Sequence, residues 1–203
     1  MKTIRFSNYL KHLLLSANHR GHGIHSPFLY RLTSMVLECR HPYYCFENQL
    51  KDSKKINFIE KNDIRSNEML FRLVNDFQPK TIWLMDFSDS DLFSWIQQAC
   101  QRARILGIQS IHNLDFEAIP DMVVVSNPGF ANADEQDLKF LLSIMPENCI
   151  FVFVHKHADA NSFKRWKTLI KHQDVTVSMD LFHTGLLFKK KDFKHHHYRI
   201  HIH

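Results

Sequence analysis

At 203 residues, 44% hydrophobic and 23% charged, the chain is long enough to bury one full core and too apolar for a disordered or fibrous protein. Its 26 Lys and Arg against 21 Asp and Glu give a formal charge of +5, which reads as spread along the sequence apart from Lys189-Lys190-Lys191. Nucleic acid is therefore disfavoured as a partner, though the basic balance does not exclude it. Cys39, Cys45, Cys100 and Cys149 lack CxxC spacing, Lys11 and His12 interrupt the apolar start, and no apolar run reaches spanning length. These features argue against a disulfide scaffold, a secretion leader and a membrane partner, and favour the cytoplasm.

Residues 7–18 read as a short amphipathic helix capped by Ser7, with Tyr9, Leu10, Leu13 and Leu14 on its inward face. A glycine-punctuated turn, His19 to His25, leads to Ser26-Pro27, an N-cap followed by proline at the first helical position. The apolar stripe of this second helix is Phe28, Leu29, Leu32, Met35 and Val36. From His41 to Arg65 the pattern is mixed, with a short helix expected around residues 46–51. A helix restarts over 66–77 with Ser66 as cap and Leu70, Leu73, Val74 and Phe77 inward, and Pro79 stops it. This reading divides the chain into a helical N-terminal extension, 1–65, and a second unit, 66–203.

The second unit alternates strand and helix. Thr81–Met85 is a short apolar run ending in polar residues, followed at once by a helical pattern over about 91–103. Arg104–Ile108, Asp121–Val125 and Cys149–Val154 read as further buried strands, with helices over 134–145 and 162–171. Val175–Phe182 and Gly185–Lys190 read as two strands joined at His183-Thr184. The order predicts an α/β fold with a mostly parallel sheet and an antiparallel end. Ligands of such sheets sit beyond the carboxyl ends of the strands, which puts the first candidate site at residues 86–91.

Three stretches, GHGIHSPFLYRL (21–32), LFRLVNDFQPKTIWL (70–84) and DLFHTGLLFKKKDFKHHHYRI (180–200), resemble a family of class I S-adenosylmethionine-dependent methyltransferases with a helical N-terminal segment bearing an HGxHSPF phrase. The resemblance implies a Rossmann-like sheet ending in an antiparallel hairpin, and S-adenosylmethionine as cofactor. It also implies an acid and a glycine-rich turn after the first strand, and a ribose-binding acid after the second. Here the turn reads Asp86-Phe87-Ser88-Asp89-Ser90, without glycine, so that side chains stand where backbone should approach the ligand. Asp86 and Ser88 are the cofactor candidates that the resemblance leaves there. Gln109 occupies the second acid's place without a carboxylate's charge-assisted bonds. The stretch Ser110 to Pro120 is too short for the helix, strand and helix that the family implies next, so the fold is expected to be shortened in the middle.

On the acceptor side, Asn127-Pro128-Gly129-Phe130 resembles the Asn-Pro-Pro-aromatic motif of amino-group methyltransferases, which makes Asn127 and Phe130 substrate-binding candidates; a plain β-turn explains the same residues. His19, His22 and His25, and the pair His155 and His157, lack an acid or cysteine to complete a metal set, so no metal is expected. The tail, His195 to His203, reads as a solvent-facing edge strand with Ile200 and Ile202 on one side. No nucleophile elbow, phosphate loop or dinucleotide fingerprint occurs, which removes hydrolase and kinase readings. The reading favoured is a degenerate methyltransferase-like protein acting as a non-catalytic binding or interaction module. The alternative is an active S-adenosylmethionine-dependent methyltransferase with an altered cofactor site. A homo-oligomer stays open, as does the identity of any partner.

Overall fold

The computed structural model describes residues 9–10, 12–16, 23–39, 41, 43, 46, 58–85, 90–109, 118–126, 133–154 and 160–202. Seven strands form one sheet: β1 (Thr81–Met85), β2 (Arg104–Ile108), β3 (Met122–Val125), β4 (Ile150–Val154), β5 (Val177–Asp180), β6 (Thr184–Phe188) and β7 (His196–Arg199). Their spatial order is β2-β1-β3-β4-β6-β5-β7, and only β6 runs against the rest. The α/β fold, the mostly parallel sheet and the antiparallel β5–β6 hairpin agree with the sequence reading.

The central strands form because their apolar runs are buried on both faces. Ile82 and Leu84 of β1, Met122 and Val124 of β3, and Val152 of β4 point to one face; Trp83, Val123, Phe151 and Phe153 point to the other. The first face is covered by α1 (Pro27–Arg31), which continues as a π-helical turn over Leu32–Leu37, by α2 (Phe58–Phe77) and by α3 (Ser90–Ala99). The opposite face is covered by α4 (Glu135–Ile144) and α5 (Ala160–Leu169) through Leu138, Leu141, Trp166 and Leu169.

Between β2 and β3 no strand occurs among the described residues, and β2 is left at the edge of the sheet. Residues 110–117, where the shortening is expected, lie outside the described residues. Trp83 fastens the returning end of this short link, its indole Nε1 donating to the Ala118 carbonyl at 3.0 Å.

Several local expectations change. Ser26 does cap α1, accepting from the Leu29 amide. The turn after it is wider than an α-helix, with the Glu38 amide reaching the Thr33 carbonyl. The widened turn rotates the stripe so that Leu32, Thr33, Val36 and Leu37 face inward, while Met35 is 70% exposed. Ser66 caps nothing: α2 begins at Phe58, and Ser66 is buried in its interior. The hairpin turn is Leu181–His183 rather than His183-Thr184, because Thr184 already belongs to β6 and its carbonyl accepts from the Leu181 amide. The short helix expected around 46–51 lies outside the described residues except for Phe46, which is helical and buried.

The basic run after β6 serves the fold. Lys189 Nζ donates to the carbonyls of Leu142, Ser143 and Met145, closing the C-terminal end of α4 where carbonyls lack helical partners. Lys190 Nζ lies 4.2 Å from the ring centroid of Phe28, and Lys191 pairs with Glu147. The densest basic run of the sequence is thus engaged within the molecule.

Cys149, at the entry to β4, is buried, and burial pushes its thiol up to about 12, with the charge of Asp121 adding to the effect. Thiolate is the reactive form, so at pH 8 only about one molecule in 10⁴ carries it there. The peptide containing Cys149 is expected to escape alkylation in the native protein at pH 8 and to react fully in denaturant, as read by mass spectrometry. Rapid native labelling at Cys149 would contradict this burial.

Candidate functional site

The strand order itself places a crevice. From β1 the chain crosses to β2 on one side, while β3 lies on the other, so β1 and β3 flank the point where the winding reverses. Open α/β sheets bind ligands outside the carboxyl ends of the strands at such a point. The chain leaves β1 at Met85, β2 at Ile108 and β3 at Val125. Met85, Val125 and Ser126 are buried at this end.

Of the sequence candidates, Gln109 is exposed and lies just beyond the end of β2, the edge strand. Asp86, Ser88, Asn127 and Phe130 lie outside the described residues, as do His19, His22, His155 and His157. Ser126 is a position that motif reading passed over. It is fully buried, and its Oγ donates to the Met85 carbonyl at 3.4 Å, a bond that joins the ends of β1 and β3 across the crevice. Its only sequence signal is a hydroxyl directly after an apolar strand.

A second polar cluster sits at the same end of the sheet, about 20 Å away along it by strand spacing, because β5 and β7 run parallel to β4. Asp180, the last residue of β5, is buried and accepts from the Phe182 amide at 2.9 Å. His12, from the N-terminal helical stretch, lies 3.5 Å from the Asp180 carboxylate through Nδ1 and 3.2 Å from the Ile200 carbonyl through Nε2. Tyr9 packs edge-on against Phe182 and His201. Phe182 has a φ of 68°, the left-handed region that a phenylalanine enters at a cost, and the Asp180 carboxylate stabilises it through this two-residue turn.

This cluster corrects two expectations. His201 is buried, so the tail is an edge strand whose end turns inward instead of standing in solvent. The N-terminal helix keeps Tyr9 inward as expected but turns its leucines out. Tyr9 and His12 meet the body of the protein, while Leu10, Leu13, Leu14 and Leu15 are exposed. Polar groups win the inward face because Asp180 and the Ile200 carbonyl need partners there, and a leucine supplies none. Ser178 Oγ and His197 Nδ1, 2.7 Å apart, continue the polar surface between β5 and β7.

Among the described residues no group of three or more His, Cys, Asp or Glu is arranged to hold a metal ion, and no helix is long and apolar enough to cross a membrane.

No protein-family model matches the sequence, and no curated protein is similar to it. Solved structures do match. The methyltransferase PaMTH1 of Podospora anserina, bound to SAH, is 9% identical over 83% of this chain and 97% of its own, with a TM-score of 0.48. The O-methyltransferase TomG of Streptomyces achromogenes, in complex with SAM, is 11% identical over 80% of this chain and 95% of its own, with a TM-score of 0.42. At these values no residue role passes from either protein to this one. What the chain itself shows is a mostly parallel α/β sheet with a crevice at the ends of β1 and β3.

Proposed function

We infer that the chain is a methyltransferase-like protein whose cofactor site is vestigial, and that it acts by binding rather than by methyl transfer. The observation that carries this reading is the position of β2 at the sheet edge. With the link from β2 to β3 so short, the wall that would enclose the adenosyl group is reduced, and Gln109 stands exposed where a ribose-binding carboxylate is wanted. The glycine-free sequence Asp86-Phe87-Ser88-Asp89-Ser90-Asp91 adds to it, since the carboxylates of Asp89 and Asp91 would repel the cofactor's own. The residues present thus fit S-adenosylmethionine poorly, and no chemical step is derived through it.

The competing reading keeps Asp86, Ser88 and Gln109 as working cofactor ligands and Asn127 with Phe130 as the acceptor pocket. The acid at 86 is the residue in its favour, since it could accept bonds from the cofactor's amino group. Calorimetric titration of the full chain with S-adenosylmethionine, and with its demethylated product, separates the two. The expected result is no saturable heat, and no thermal shift, at about millimolar ligand, where a site of micromolar affinity would be filled. One-to-one binding in the micromolar range would overturn the vestigial reading and restore the enzyme.

A further inference from the structure

The N-terminal helical stretch presents apolar side chains to solvent: Leu10 is 45% exposed, Leu14 76% and Leu15 59%, while Tyr9 and His12 on its other side are engaged with Phe182, His201, Asp180 and Ile200. A helix anchored by its polar side and bare on its leucine side needs an occupant for the leucines.

Charge identifies that occupant. The surplus of the chain is not spread along it. Lys2, Arg5, Lys11, Arg20 and Arg31 precede the first acidic residue, Glu38, and the rest of the sequence then holds 21 basic and 21 acidic residues. The whole formal charge of +5 thus belongs to the segment bearing the exposed leucines. Arg31 is neutralised by a two-pronged pairing with Asp76, at 2.7 and 2.6 Å. Lys2, Arg5, Lys11 and Arg20 remain as sequence charge, unopposed by any acid within the segment.

We propose that the leucine face of residues 9–15 docks on an anionic lipid bilayer. Leucines in a segment whose charges are all lysine and arginine match the composition of a surface-lying amphipathic helix. A second copy of the chain fits less well, because a symmetric contact through this face would bring two basic, acid-free segments together. Peripheral contact of this kind needs no spanning helix.

The test is sedimentation of the full-length protein with vesicles of phosphatidylglycerol and phosphatidylcholine, against vesicles of phosphatidylcholine alone. The expected result is pelleting with the anionic vesicles only, weakened by salt, and reduced about tenfold in Leu14→Glu/Leu15→Glu. Both positions are exposed, so the variant should keep the native melting temperature and circular dichroism. No pelleting of the native protein, or equal pelleting of protein and variant, overturns the proposal. So does a dimer in solution that the variant converts to monomer while vesicles capture neither, since the leucines would then cover one another.

Discussion

Trp83→Ala is expected to lower the melting temperature by on the order of 10 °C, the largest loss anticipated from a single site near the crevice. The side chain is 1% exposed and packs on the face covered by α4 and α5. Deleting a buried aromatic of this size costs about 3–5 kcal/mol, and in a chain of about 200 residues each kcal/mol moves the midpoint by about 2–4 °C. The indole also holds the Ala118 carbonyl, and through it the end of the short link into β3. Trp83→Phe separates the two contributions. It keeps most of the apolar volume but strands the carbonyl, which costs about 1–3 kcal/mol. A Trp83→Ala midpoint within about 2 °C of the native one would mean that neither packing nor the bond holds this region. Thermal unfolding followed by circular dichroism, with hydrogen exchange at residues 118–126, reads both effects.

Trp83 also shows which parts of the fold are legible in sequence. β1, β3 and β4 stand out because each is a short apolar run bounded by proline or polar residues, and burial on both faces leaves a pattern that needs no partner to be read. That little can stand between β2 and β3 is legible by length alone, since the stretch from Ser110 to Pro120 is too short for a crossover and a further strand. Other features depend on residues far away. The leucines of the first helix resemble a core stripe, yet His12 is drawn inward by a carbonyl 188 residues later. Met35 sits on the apolar period of a helix whose turn is widened, and a 3.6-residue rule cannot foresee that. Ser66 has the chemistry of a cap but lies within a helix that starts eight residues earlier, at Phe58. Ser126 has no motif to announce it; its role depends on β1 and β3 being neighbours.

Asp180→Ala is expected to be nearly as costly, and it tests whether the N-terminal helix is part of the fold. The carboxylate is buried at the end of β5, accepts from the Phe182 amide and faces His12 across 3.5 Å. Removing the carboxylate takes this acceptor from both the buried His12 ring and the Phe182 amide, at about 1–3 kcal/mol for each. The left-handed Phe182 then loses the acceptor that fixes its turn. Asp180→Asn keeps an oxygen for the Phe182 amide and removes only the charge, so its loss should be about 1–2 kcal/mol. If His12 works through Asp180, the effects of His12→Ala and Asp180→Ala fall short of their sum in the double variant, by at least about 0.5 kcal/mol. Cleavage by trypsin at Lys11 and Arg20 should quicken in both single variants, since release of His12 frees the helix. Strict additivity with unchanged cleavage would show that the His12–Asp180 contact does not hold the helix, and the orientation that exposes its leucines would then rest on contacts such as Tyr9 with Phe182 and His201, without the buried carboxylate.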